Sequence, residues 1–456
     1  MKTINKRTVL LIIITAIFSA VCVLLMVSMF YHAEEYALNS VNAHLYENGV
    51  LINAGSVADA NGSILVETVD GERVYSDDAD VRSAMLHILG DNEGFISGGV
   101  QSTFKEELCG YSLFFGVNKE SKNTLKLTLD SELCAYAYNQ LGSYKGCIAV
   151  ANYQTGEIVC IATTPTYDIY NKPDIDDSDE YEGIYINRFF GGLYTPGSIF
   201  KTVTALAAIE NIDDIFDREY YCSGSCSIGG GTIVCSDVHG TVTFREALNQ
   251  SCNVAFAQIA VELGADALEA AFEQAGLNVS YSTSDRLSNK AGSFSSTAAE
   301  SESELGWTGI GQSTTLVNPY SFLTYMCAIA NGGTTYEPYF VKSAENGAGG
   351  TVYSAKAVDS GISISSSSAS TLRDLLRSNV SNYYGDYMFG DVTMCGKTGT
   401  AERDEGNSHA WFAGFSYDDS FPYAIIVIVE DSGSGLKYAG TRAANVMQEL
   451  YDTLHA

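Results

Sequence analysis

The sequence predicts an α+β fold, with one antiparallel sheet assembled from distant segments and packed with a helical cluster. Three observations predict it. Apolar strand patterns fall in two separated blocks, at 125–162 and 410–430. Helical patterns lie between and after them, among them 202–210 and 440–454. A single uncharged apolar run, 9–30, stands ahead of everything else.

That run, VLLIIITAIFSAVCVLLMVSMF, rises ~1.5 Å per residue as a helix and covers ~33 Å, enough to cross a bilayer. Lys2, Lys6 and Arg7 precede it, and Glu34 and Glu35 follow. The positive-inside rule then makes 1–8 a cytoplasmic tail and puts everything after Tyr31 outside. The run is longer than a signal-peptide core and no A-x-A site closes it. Ser19-Ala20-Val21 is also a poor lipoprotein signal ahead of Cys22, so an uncleaved single-pass anchor over 9–30 is expected.

Residues 31–125 are expected to form a small membrane-proximal module. Turn signals at Asn61-Gly62 and Asp70-Gly71-Glu72-Arg73 separate short alternating segments, and Leu86-His-Ile-Leu-Gly90 follows. From 126 to 456 a second domain is expected. It opens with a strand by alternation, Leu125-Lys-Leu-Thr-Leu-Asp130, and a helix over 131–141. An apolar hairpin follows, Cys147-Ile-Ala-Val-Ala-Asn152 and Ile158-Val-Cys-Ile-Ala162, turning at Thr155-Gly156 and ended by Pro165. Strands over 410–417 and 423–430 and a last helix over 440–454 close the chain. The segment 280–304, rich in Ser, Ala and Glu without a hydrophobic period, reads as a long surface loop.

Composition narrows the function classes. With 55 acidic against 25 basic residues the formal charge is −30, which excludes phosphate-backbone binding, so no nucleic-acid partner is expected. Charged residues make up only 18% and apolar ones 46%, a folding composition with a solvated acidic surface. The cysteines number eleven. Cys134, Cys147, Cys160, Cys327 and Cys395 sit in apolar runs and read as small buried hydrophobes. Cys222, Cys226 and Cys235 are close enough in sequence for one disulfide between two of them. The only histidine near them is His239, and the spacing fits no common zinc pattern, so neither metal nor cofactor is expected.

Three short motifs carry the chemistry: Ser198-Ile-Phe-Lys201, Ser251-Cys-Asn253 and Lys397-Thr-Gly-Thr400. Pro196-Gly197 form a turn ahead of the helix over 202–210, so Ser198 falls at a helix N-terminus that favours a developing oxyanion. Lys201, three residues on, projects from the same face and can reach the Ser198 hydroxyl. As a base it must lose its proton near neutral pH, and both desolvation and the charge of Lys397 push it that way. Ser251 and Asn253 follow a helix opened by a capping box, Thr243-Phe-Arg-Glu246, with Cys252 turned inward between them. Gly396 and Gly399 let an extended peptide lie against the Lys397-Thr398-Gly399-Thr400 backbone as an added edge strand.

S-x-x-K, S-x-N and K-T-G in this order mark serine acyl-transfer enzymes that handle penicillin or D-alanyl peptides. With Asn187-Arg188 and Tyr194-Thr-Pro-Gly before Ser198, the string KTGTAE, His409-Ala-Trp-Phe-Ala-Gly-Phe415, Gly309-Ile-Gly-Gln312, Asn318-Pro319 and Ala330-Asn-Gly-Gly333, the chain resembles a class B penicillin-binding protein from about Leu125 onward. The resemblance implies the penicillin-binding/serine β-lactamase fold and a peptidoglycan D,D-transpeptidase activity through a Ser198 acyl-enzyme. It further implies that Ser251 shuttles the proton to the leaving amine and that Asn253 holds Lys201 and the substrate amide. Lys397, Thr398, Gly399 and Thr400 would bind the terminal carboxylate, with the backbone N–H groups of Ser198 and Thr400 as oxyanion hole. The implied partners are D-Ala-D-Ala stem peptides, β-lactams and a SEDS-type membrane glycosyltransferase, since 1–125 has no room for a polymerase domain.

Two other readings compete. One is a D,D-carboxypeptidase or β-lactamase on the same fold; Glu302-Ser-Glu304-Leu305 is a poor match to the water-positioning Glu of the latter. The other is a non-catalytic β-lactam sensor or scaffold, disfavoured by the short cytoplasmic tail and by the presence of Ser198, Lys201 and Lys397 together. No Ser-His-Asp triad can be assembled, and His409 reads as a structural hydrogen-bonder.

Overall fold

The computed structural model describes residues 2–38, 46–47, 50–51, 54–91, 93–96, 98–112, 116–117, 121–175, 178–282, 285–402 and 406–456. Parts of the expected membrane-proximal module, including 39–45, lie outside the described residues.

The N-terminal apolar run is one helix, Lys2–Tyr31, with its large apolar side chains between Val9 and Tyr31 exposed, and Asn5–Tyr31 is long and apolar enough to cross a membrane. The run expected over 9–30 lies inside it.

Two sheets organise the rest. The first has six strands in the order Thr351–Ser354, Val341–Glu345, Thr124–Leu127, Ser56–Ala58, Ile64–Val69 and Glu72–Tyr75. The Asp70-Gly71 signal acts as read from the sequence. Both residues take positive φ (52° and 87°) and close a two-residue hairpin in which Val69 faces Glu72, the turn that matches strand twist. This sheet crosses the boundary expected near 125. Thr124–Leu127 pairs in parallel with Ser56–Ala58 and antiparallel with Val341–Glu345, so a hairpin from deep in the second half completes the first sheet. Alternation identifies Thr124–Leu127 as a strand but carries no information on which sheet receives it.

The second sheet has five antiparallel strands in the order Ile158–Thr164, Gly146–Asn152, Tyr423–Val429, His409–Ser416 and Met394–Ala401. Its three central strands are apolar and buried almost throughout, so both faces are covered. Helices Ser131–Leu141 and Thr441–His455 pack on each other and on this sheet, and the wholly buried helix Pro319–Ala330 packs on its inner strands. Asn318 fixes the start of that last helix. Its Oδ1 accepts the N–H of Tyr320, while its Nδ2 donates to the carbonyls of Phe190 and Gly192 and ties the helix to the segment ahead of Ser198. Met394–Ala401 is an edge strand.

The segment 280–304 departs from the expected surface loop. Tyr281, Asp285, Asn289, Ser295 and Ala298 are buried, and Glu302 opens a helix, Glu302–Gly309. Asp285 accepts the backbone N–H groups of Phe340 and Val341 at 2.9 and 2.7 Å. Polar side chains here replace a hydrophobic period: they satisfy buried backbone groups one by one, a pattern with no sequence periodicity.

Candidate active site

The segment before Ser198 is clamped from three sides. Trp411 Nε1 donates to the Thr195 carbonyl at 3.0 Å, and the Gly197 N–H donates to the Gly311 carbonyl at 2.8 Å. Gly197 has φ +55°, and a Cβ there would sit 2.8 Å from the Thr400 carbonyl oxygen. Gly311 has φ +79°, and its Cβ would sit 2.0 Å from the Gly197 carbonyl oxygen. Both positions need glycine because two backbones touch. The chain then makes a short 3₁₀ turn, Gly197–Phe200, and continues as the helix Lys201–Asn211. Ser198 therefore sits on the tight turn that leads into the helix.

Thr243 and Glu246 form the expected capping box on helix Phe244–Asn249. The chain leaves it through Ser251, a non-glycine residue at φ 54°, and re-enters helix at Asn253 with the Cys252 sulfur accepting the Ala255 N–H. This left-handed residue turns both its oxygens onto Lys201. The Lys201 ammonium nitrogen lies 3.1 Å from Ser198 Oγ, 2.6 Å from the Ser251 carbonyl oxygen, 3.1 Å from Ser251 Oγ and 2.7 Å from Asn253 Oδ1. Lys397 Nζ reaches Ser251 Oγ from the other side at 3.0 Å and the Thr398 carbonyl at 3.1 Å. Ser251 Oγ thus bridges the two lysines.

Both lysines are wholly buried. Loss of hydration holds Lys201 well below the usual lysine range, and the neighbouring Lys397 charge adds to the depression. Burial brings Lys397 down to about 7. At neutral pH a buried lysine of this kind can carry a proton or give it up, as a general base requires.

Lys397, Thr398, Gly399 and Thr400 lie inside the edge strand Met394–Ala401. Gly399 is pressed between the Pro196 carbonyl and the Trp411 side chain, where a Cβ would approach to 2.9 and 3.1 Å. A cleft of about 650 Å³ opens beside the strand and is lined by Ser198, Ser251, Asn253, Thr398 and Thr400, with Trp307, Gln312 and Tyr383 around it. Among the described residues, Glu402 is the one carboxylate lining the cleft. Glu304 instead accepts hydrogen bonds from Ser313 and Thr297 outside it.

Sequence reasoning missed Tyr384. Its hydroxyl accepts the Thr398 N–H at 3.1 Å and lies 3.1 Å from Thr398 Oγ1, fixing the hydroxyl that faces the cleft. A tyrosine pair after a helix carries no motif that could have pointed to it. His409 holds the Asp431 N–H through Nδ1 at 3.3 Å and stacks edge-on against Tyr194, away from the lysines. Arg188 forms a buried ion pair with Glu430 (2.7 Å), and the Tyr194 hydroxyl donates to the same Glu430 oxygen at 2.9 Å.

Cys134, Cys147, Cys160, Cys327 and Cys395 are buried as expected, but the disulfide expectation is corrected. Cys222, Cys226 and Cys235 are free thiols rather than a disulfide-linked pair. Cys222 and Cys235 lie with Cys252 and His239 in one group whose four ligand atoms are all within 4.8 Å of one another. Spacing along 222–239 reveals no ligand set because the fourth member, Cys252, lies apart in sequence, between Ser251 and Asn253. The Cys235 sulfur lies 3.9 Å from the Cys252 sulfur and accepts the Asn253 N–H at 3.2 Å, contacts that favour its thiolate and lower its pKa.

Residues 146–452 match the family model described as the penicillin binding protein transpeptidase domain. The chain is 25% identical over 429 residues to Stage V sporulation protein D of Bacillus subtilis, covering 84% of this chain and 65% of that protein. It is 26% identical over 324 residues to the peptidoglycan D,D-transpeptidase PbpA of Mycobacterium tuberculosis, covering 66% of this chain and 64% of that one. It therefore spans somewhat under two thirds of the length of these curated relatives. The solved D,D-transpeptidase domain of a peptidoglycan glycosyltransferase from Eggerthella lenta superposes with a TM-score of 0.74 at 26% identity, covering 88% of this chain and 98% of that one. The match extends over the nucleophile turn, both lysines and the edge strand, and the chain belongs to the penicillin-binding protein transpeptidase family, in its class B branch.

Proposed function

We propose that the protein is a serine-type peptidoglycan D,D-transpeptidase that cross-links stem peptides ending in D-Ala-D-Ala. The observation that carries this reading is the convergence of Ser198, Ser251 and Asn253 on a buried Lys201 whose ammonium form is disfavoured. Neutral Lys201 takes the Ser198 hydroxyl proton as the oxygen attacks the carbonyl carbon between the two D-alanines. The backbone N–H groups of Ser198 and Thr400 hold the oxyanion. Collapse breaks the C–N bond, and the proton passes from Lys201 through Ser251 Oγ to the departing D-alanine amine. An amine of a second stem peptide then attacks the acyl-enzyme, loses its proton by the same route reversed, and frees Ser198.

Lys397, Thr398 and Thr400 bind the donor carboxylate, and the peptide lies along the edge strand Met394–Ala401 at Thr400, the exposed residue of that strand. Asn253 orients Lys201 and the donor amide. Penicillin enters the same cleft and acylates Ser198. The apolar helix anchors the chain in the membrane with 1–8 cytoplasmic, 31–125 as pedestal and 126–456 as an extracytoplasmic transpeptidase domain, on the strength of the charge bias around the helix. By the class B relationship, glycan polymerisation falls to a SEDS-type membrane partner.

The test is labelling of the detergent-solubilised chain with fluorescent penicillin, followed over hours, with Ser198→Ala alongside. A long-lived adduct lost in the variant is expected. Labelling that persists in Ser198→Ala removes the nucleophile assignment, and rapid turnover of the adduct replaces transpeptidation with a β-lactamase activity.

A further inference from the structure

Three sulfurs and an imidazole meet beside the cleft, brought there by three separate segments. Cys222 ends the strand Glu219–Cys222 and pairs across the ribbon with Gly240, which places the adjacent His239 next to it. Cys235 follows the hairpin strand Gly231–Val234, and Cys252 caps helix Asn253–Leu263. Cys222, Cys235 and Cys252 are buried and His239 is half-buried. The Cys235 sulfur lies 3.4 Å from His239 Nδ1 and 3.9 Å from the Cys252 sulfur. Ligands of a tetrahedral zinc, at about 2.3 Å for sulfur and about 2.0 Å for nitrogen, stand roughly 3.5–3.8 Å apart. A disulfide would need sulfurs at about 2.0 Å and would leave the third cysteine and the histidine unused.

We propose that Cys222, Cys235, His239 and Cys252 hold one zinc ion that fixes the Ser251–Asn253 segment. Three thiolates and an imidazole are a donor set for a closed structural site. The ion supplies what this region otherwise lacks. Strands 219–222, 225–228, 231–234 and 240–243 form two separate two-stranded ribbons, and such ribbons are marginal alone. Cys252 sits between the two residues that hold Lys201. Cys235 accepts the Asn253 N–H at 3.2 Å, while Asn253 Nδ2 donates to the Val234 carbonyl at 2.8 Å. A metal at this point pins both sides of a segment whose Ser251 is at φ 54°. The consequence for acylation rests on the proposed roles of Ser251 and Asn253; the metal site does not.

The test uses the full chain in detergent, purified without chelator, with metal content and acylation read separately. One equivalent of zinc per chain is expected, and cobalt substitution should give a thiolate-to-cobalt charge-transfer band with tetrahedral d–d absorption. Cys222→Ser and His239→Ala should lose the metal, His239→Cys should keep it, and Cys226→Ser, on the neighbouring ribbon but outside the group, should keep it too. The site is overturned if the chain holds no zinc after dialysis against buffered Zn²⁺. It is equally overturned if His239→Ala retains full zinc with an unchanged cobalt spectrum, or if Cys226→Ser loses zinc as Cys222→Ser does. Should Cys222→Ser fail to fold, retention by His239→Cys against loss by His239→Ala decides the matter. Chelation of the wild type should slow penicillin acylation by about 10- to 100-fold, with recovery on adding Zn²⁺. An unchanged rate in metal-free protein overturns the positioning role. A zinc-loaded chain that never acylates refutes the transpeptidase reading and supports the metal site by its zinc content.

Discussion

Replacing Lys397 by methionine should stabilise the protein near neutral pH and destabilise it in alkali. Burial lowers the Lys397 pKa from 10.5 to about 7. The unfolded chain therefore binds a proton that the folded chain resists, and at pH 7 this costs the fold about 4–5 kcal/mol. The penalty is complete below about pH 7, shrinks as pH rises, and falls below about 0.5 kcal/mol by pH 10.5, where the unfolded lysine is losing its proton as well. Methionine, similar in volume, removes the penalty but forfeits the bonds to Ser251 Oγ and the Thr398 carbonyl, at about 1–1.5 kcal/mol each. The variant should be about 2 kcal/mol more stable than wild type at pH 7 and about 2–3 kcal/mol less stable at pH 10.5. Urea unfolding followed by the fluorescence of Trp307 and Trp411 measures both. A variant less stable than wild type by one constant margin at both pH values would refute the reasoning, because it would mean that Lys397 is not held against its ammonium form. Fluorescent penicillin labelling should be lost in the same variant.

Other perturbations have equally definite outcomes. Tyr384→Phe removes the hydroxyl that fixes Thr398, and acylation should slow about tenfold with a loss of about 1–2 kcal/mol of stability; unchanged kinetics would exclude Tyr384 from positioning Thr398. Gly311→Ala puts a Cβ on the Gly197 carbonyl at a left-handed position, so about 3 kcal/mol of stability and most of the acylation rate should go together. Glu430→Ala strands the buried Arg188 and should cost about 3–5 kcal/mol by thermal or urea unfolding, whereas a loss under 1 kcal/mol would mark the pair as solvated.

Much of the fold was legible because its signals are local. The helix Ser131–Leu141, the apolar hairpin and the last two strands each announce their period and their ends within a dozen residues. The capping box of Thr243 and Glu246 and the Asp70-Gly71 hairpin are contained in still shorter spans. The buried segment 280–304 resembles a surface loop in sequence because its order comes from single polar side chains such as Asp285 meeting distant backbone, which leaves no pattern in hydropathy.

By itself the sequence determined the apolar helix, the alternation of strand and helix, and the residues Ser198, Lys201, Ser251, Asn253 and Lys397 as a candidate set. Those follow from local periodicity and from motifs a few residues long. Tertiary structure alone decided that Ser251 Oγ lies between two buried lysines, that Tyr384 holds Thr398, that a hairpin at 341–354 completes the first sheet, and that Cys252 joins Cys222, Cys235 and His239. Each of these is a contact between segments far apart along the chain. The free energy that selects them comes from burial and hydrogen bonding across the whole fold, which no short window of sequence records.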